Sequence, residues 1–244
     1  MNIRNIALAI LLAALVACGS KQEDADLSAN EQFDVAAEQM TSAFFTHVPE
    51  AATQLGLSED IVPGTLRRMM DRSVDGNAAR NTALEAALAS LEAVDVAALS
   101  PDRQRTHATL TTIFEGALMP SRVVDYGTTA GAWTLWYMPF PIAQNSGPTV
   151  DIPNFLNSQQ PVNDASDAEI FLERLATVAP ALDGALESYR HGVQQGAIPP
   201  DFIVAKSLAV VEAFTAPPAD QNPVYVSFRD KLASAGVDNA EEYS

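Results

Sequence analysis

The chain has 244 residues, of which 48% are hydrophobic, and a net charge of −17. A surface so acidic, with no basic cluster to offset it, repels polyanions, which excludes nucleic acid as a partner. The apolar fraction is that of a globular protein rather than a disordered one, and the length suits one large domain or two small ones.

Residues 1–17 hold one cation, Arg4, and an apolar run from Ile6 to Val16. That run falls well short of the roughly 20 residues a spanning helix needs, so it reads as the core of a signal peptide. It ends in Leu15-Val16-Ala17-Cys18-Gly19, the pattern of a bacterial lipobox, in which a cysteine thiol takes a diacylglyceryl group. Cys18 is the only cysteine, so no internal disulfide can form. The expected partner at this end is the membrane, through lipid at Cys18; two or more chains on one residue anchor stably. Gly19, where an aspartate would retain the protein, points to the outer membrane, facing the periplasm, in a bacterial envelope. Residues 18–30 are polar, acidic and aperiodic, and read as anchor and tether to a helical domain at 31–244.

Ser28 opens the first predicted helix, with Glu31 three residues on to complete a capping box. Phe33, Ala36, Ala37, Met40 and Phe44 form its apolar stripe. Pro49 starts a short helix that Gly56 stops. Leu66, Met69 and Met70 predict another before a turn at Asp75-Gly76-Asn77. Asn77 to Val94 carries Leu84, Leu88 and Leu91 on one face, and Ser100-Pro101-Asp102 is a helix start leading to Pro120. These two segments are expected to form an antiparallel hairpin. Arg103, Arg105 and His107 near its turn could hold an anion, or simply face water.

Residues 126–161 break the helical period. Gly127, Gly131, Pro139, Pro141 and Gly147 forbid a plain helix, yet Trp133, Trp136, Tyr137 and Phe140 make the stretch too apolar to lie loose. It is expected to be an ordered, largely buried connection, with 149–161 irregular. Trp133, Trp136, Tyr137, Gln144 and Asn145 are candidates for a cleft or binding wall, the aromatics alternatively packing between helical layers. Phe171, Leu175, Val178, Leu182, Leu186, Tyr189 and Val193 then step by three and four, a stripe expected to face a core. Pro180 predicts a kink or two abutting helices. Pro199-Pro200-Asp201 opens the next helix, and Val224 to Leu232 a last short one. No stretch alternates with period two for long, so the fold class expected is all-α, an irregular multi-helix bundle.

The lipobox, Phe44, Pro49-Glu50-Ala51-Ala52-Thr53-Gln54-Leu55-Gly56, the aromatic-proline segment leading to Gln144-Asn145-Ser146-Gly147-Pro148, Phe171-Leu172-Glu173-Arg174-Leu175 and Ile198-Pro199-Pro200 together resemble domain-of-unknown-function family 885. The resemblance implies a long, helical, lipid-anchored envelope protein with a zincin-like His-Glu…Pro-Gly-His motif far downstream. In such a motif two histidines bind zinc and the glutamate activates water. This chain has three histidines, His47, His107 and His191, widely separated and none followed by glutamate. No catalytic residue, metal ligand or cofactor is therefore assigned to it, zinc being implied only for longer members. The reading is the amino-terminal, non-catalytic portion of a metallopeptidase-like protein, inactive alone, with a peptide or a C-terminal segment as partner. The alternative is a non-enzymatic helical lipoprotein that binds a peptide or protein.

Overall fold

The computed structural model describes residues 27–130, 136–237 and 243. The signal sequence, Cys18, most of the tether and Trp133 lie outside the described residues. Helix α1 (Ala29–His47) begins inside the segment read as tether. Ser28 Oγ accepts from Glu31 N, and the Glu31 carboxylate accepts from Ser28 N at 2.8 Å, so the capping box forms. Pro49 pre-sets the first turn of α2 (Pro49–Gln54). Helices α3 (Val74–Glu92) and α4 (Pro101–Leu118) are the expected hairpin, and α1 packs along α3. Phe33, Met40, Leu84, Leu88, Leu91, Phe114 and Leu118 make the first core. In α1 the residue that reaches full burial beyond Met40 is Phe45; Phe44 is half-buried, edge-on to Phe45 and Phe114. Arg103 clasps Asp34 through two bonds of 2.9 and 2.7 Å, joining α4 to α1, and His107 is buried with Nε2 3.0 Å from the Leu91 carbonyl. Those partners account for Arg103 and His107 without an anion.

The expected helix at Leu66–Met70 does not form. Residues 55–73 instead run as a loop, and the Asp75-Gly76-Asn77 turn is the first turn of α3, with Ser73 Oγ accepting from Gly76 N at 2.9 Å. Arg174 pins the loop: Nε donates to Arg68 O, Nη2 to Thr65 O, and Nη1 to Thr53 Oγ1 and Gln160. Helix geometry would leave those carbonyls bonded within the segment; here a buried guanidinium satisfies them.

The described parts of the connection, 126–130 and 136–161, are not wholly irregular. Strands β1 (Thr128–Ala130) and β2 (Trp136–Met138) form a small antiparallel hairpin, Thr129 opposite Tyr137. Beyond it comes α5 (Pro148–Ser158), a helix where irregular chain was expected. Pro153 lies inside this helix, and the buried stripe Ile152, Phe155 and Leu156 holds it in place by packing.

The long leucine stripe divides into α6 (Ala165–Ala176) and α7 (Val178–Gln194), broken at Thr177. Pro180 falls in the first turn of α7, where its missing N–H costs no helical bond. Only the start of the stripe faces a core: Phe171 is wholly buried and Val178 packs against the second core. Leu175, Leu182, Leu186 and Val193 are exposed, and α7 turns inward a face of Ala181, Gly184, Ala185, Ser188 and Gly192. The reason is close approach. A Cβ on Gly184 would lie 2.7 Å from Ser73 N, so only small residues let α7 cross the loop at 72–73. Helix α8 (Asp201–Thr215) buries only Ser207, leaving Phe202, Val204 and Leu208 in the open. Helix α9 (Pro223–Ala235) closes the second core with Val224, Phe228 and Leu232. Phe228 stacks on Phe171 with ring centres 4.3 Å apart. Lys231 Nζ reaches the Leu156 and Gln160 carbonyls, both at 2.7 Å, and caps the C-terminal end of α5. Among the described residues no helix is long and apolar enough to cross a membrane.

Candidate functional site

A cleft of about 380 Å³ opens where α2, the 55–73 loop, the start of α5 and the small-residue face of α7 meet. Gly147 shapes its rim. It takes φ 94°, and a Cβ there would sit 2.4 Å from the Pro141 carbonyl, so glycine alone lets the chain double back into α5. Gly147 N donates at 3.0 Å to Asp151 Oδ2, which fixes Asp151 toward the cleft's N-terminal edge of α5. Burial pushes the Asp151 carboxyl above its ordinary range, more than that bond and Arg72 pull it down.

Across from Asp151, Glu50 and Arg72 pair at 2.9 Å with side chains only 9% and 12% exposed. Glu50 Oε2 also accepts from Met70 N at 3.2 Å, and Arg72 Nη1 donates to Met70 O at 3.1 Å. The floor is a chain of polar contacts. Asn77 Nδ2 donates to Ser188 Oγ at 3.1 Å, and Ser188 Oγ donates to the Arg72 carbonyl at 2.7 Å. Asn77 Oδ1 accepts from Thr128 Oγ1 and from Arg80 Nη2, both at 2.8 Å. The cleft thus offers carboxylates, amides and hydroxyls on rigid helices beside apolar walls, the mix by which proteins hold short polar chains.

Of the residues singled out from sequence, Asn145 lines this cleft. Tyr137 lines a smaller, neighbouring cavity instead; its OH donates to Tyr126 O at 2.8 Å, and burial pushes its pKa to about 12. Gln144 is half-buried with Oε1 unpartnered and is not among the residues lining either cavity. Trp136 pairs with Ala130 through the β ladder, and Trp133 is outside the described residues. The residues that build the cleft, Glu50, Arg72, Asn77, Asp151 and Ser188, carry no such signal in the sequence. They come from five separate segments, each unremarkable alone. Arg80 and Arg174 did leave a trace: each sits in register with an apolar stripe, four residues before Leu84 and three after Phe171.

The zinc implied by family resemblance finds no ligand set among the described residues. Among the described residues no group of three His, Cys, Asp or Glu converges. His47 ends α1, His107 lies in α4 and His191 in α7. The residues present do not fit such a metal, and no step is derived through one.

Fold and cleft together define an all-α protein with a polar cleft and large apolar side chains exposed on α7 and α8. The family model described as bacterial protein of unknown function, DUF885, matches residues 49–243, and the chain belongs to that family. A crystal structure of a candidate lipoprotein from Colwellia psychrerythraea is similar in fold, with a TM-score of 0.80 and 18% identity over 88% of this chain. This chain spans 37% of that one. No curated protein matches the sequence.

Proposed function

We propose that this chain is the helical, non-catalytic portion of a lipid-anchored bacterial envelope protein of metallopeptidase type, held at the outer membrane through Cys18. Its exposed apolar face seats the portion that carries the chemistry, and its cleft forms part of the wall that holds a peptide. One observation carries this reading. Helix α8 is the most apolar of the described long helices by sequence, yet Phe202 and Leu208 are 60% and 55% exposed, and Leu182, Leu186, Val193 and Ile198 before it are exposed as well. Several large apolar side chains left exposed on one helix mark an interaction face. That the chain spans 37% of its structural neighbour supports a further polypeptide portion as the occupant.

The test joins residue 244 to the part of a longer family member that follows the matched region. The fusion should show slowed hydrogen exchange in α8 and zinc-dependent peptide hydrolysis, while the chain alone shows neither. A fusion in which α8 exchanges as freely as in the chain alone would overturn the reading. The cleft itself favours the second reading, a non-enzymatic lipoprotein that binds a peptide; peptide binding with no hydrolysis by the folded fusion would select it.

A further inference from the structure

Two arginines are withdrawn from water in this fold, and only one is provided for. Arg174 is 0% exposed, yet each of its three nitrogens donates to an oxygen and its guanidinium lies 5.0 Å from the Phe155 ring centre. Arg80 is 1% exposed and has no carboxylate within ion-pair distance among the described residues. Nη2 donates to the neutral oxygens of Asn77 and Thr128 at 2.8 and 2.9 Å. Nη1 meets only the Met70 thioether at 3.6 Å, and Nε donates to nothing. Of the charges that act on it, Arg72, of the same sign, outweighs the opposite charge of Asp71. A guanidinium moved from water without an ion-pair partner carries a large desolvation penalty.

Arg80 lines a cavity of about 220 Å³ walled by Asn77, Asn81, Thr128, Ser188 and His191. Asn81 Oδ1 is buried without a donor; with its amide turned over, Asn81 would present N–H groups to an anion in the same space. We infer that this cavity is a binding site for a small carboxylate, of the size of a peptide's terminal residue, whose charge the buried Arg80 guanidinium neutralises. One unpaired guanidinium balances a single negative charge. The wall also includes Asp125, but its side chain is 82% exposed and lies against His191 at 3.4 Å; the hydroxyls and amides of Asn81, Ser121, Thr128 and Ser188 suit the two oxygens of a carboxylate better than the heavier charge of a phosphate. The cavity shares Asn77, Thr128 and Ser188 with the larger cleft, so a chain lying in the cleft could end here. The inference does not rest on the proposed function, since neither a metal nor the apolar face of α8 enters it.

The test is calorimetric titration of the full chain with N-acetyl-alanine, with its neutral methylamide, and with inorganic phosphate. N-acetyl-alanine should bind saturably and the methylamide at least about tenfold more weakly. Arg80→Gln should abolish the binding. Should that variant fail to fold, Asn81→Leu, which fills the cavity and leaves Arg80 in place, should weaken binding by about tenfold or more with an unchanged circular dichroism spectrum. Equal binding of acid and methylamide, tighter binding of phosphate, unchanged binding in the folded variants, or no saturable binding by the wild type would each overturn the assignment.

Discussion

Glu50 and Arg72 meet at 2.9 Å behind the cleft, and each also bonds the backbone of Met70, the carboxylate to its N–H and the guanidinium to its carbonyl. The pair therefore fixes the loop in both senses, where a helix would otherwise have satisfied Met70. Removing one partner leaves the other charge buried, which costs about 3–5 kcal/mol. Arg72→Met should lower stability to urea by about that much, and Glu50→Leu/Arg72→Met together by distinctly less than the two single losses summed. Additive losses would show that the pair is not coupled.

Gly184 sets how closely α7 crosses the same loop. An added Cβ meets Ser73 N at 2.7 Å and backbone carbons of Arg72 and Ser73 at 3.2 Å, and backbone cannot rotate away. Helix propensity alone would make alanine better than glycine by about 1 kcal/mol. Overpacking at this crossing costs about 1–3 kcal/mol and should win. Gly184→Ala is therefore expected to lower the unfolding midpoint, while Gly116→Ala, which meets nothing within 4 Å on α4, should raise it.

Leucines of α3 and α8 should behave oppositely. Leu84 is wholly buried, so Leu84→Ala should cost about 2–5 kcal/mol. Phe202→Glu with Leu208→Glu should leave stability within about 0.5 kcal/mol per site, and should cut the binding of a hydrophobic fluorescent dye. A large loss of stability in the α8 double variant would mean that this chain covers the face by itself.

Asp151 gives a pH signature. Burial raises its folded pKa above the unfolded value, so the folded state holds the proton more tightly. Its contribution is fully present at pH below the ordinary carboxyl range and is lost as pH rises through the folded value. Asp151→Asn keeps an acceptor for Gly147 N and cannot ionise. Relative to wild type, the variant should gain stability on going from acid to neutral pH, read from melting temperatures at several pH values. A constant difference across that range would exclude the assignment.

Cys18 is expected to carry the lipid. Cys18→Ser should abolish incorporation of labelled palmitate and leave uncleaved precursor to accumulate. Labelling that persists in the variant would rule out the anchor.

The sequence by itself determined the local decisions, because their causes are local. Ser28 with Glu31, Pro49, Pro101 and Gly196 mark helix ends through the backbone groups they cap or free. The α1, α3 and α4 stripes point to the first core because all three partners lie within one short stretch of chain. Tertiary structure alone decided what those cues leave open. Periodicity shows that Leu182, Leu186 and Val193 share a face of α7, but not what covers it; the crossing at Ser73 turned the small face inward and left the leucines out. It also brought Glu50, Arg72, Asn77, Asp151 and Ser188 together from distant segments, and closed Arg80 beside a cavity with no ion-pair partner among the described residues. Such sites depend on which faces meet, a property of packing that no single segment encodes.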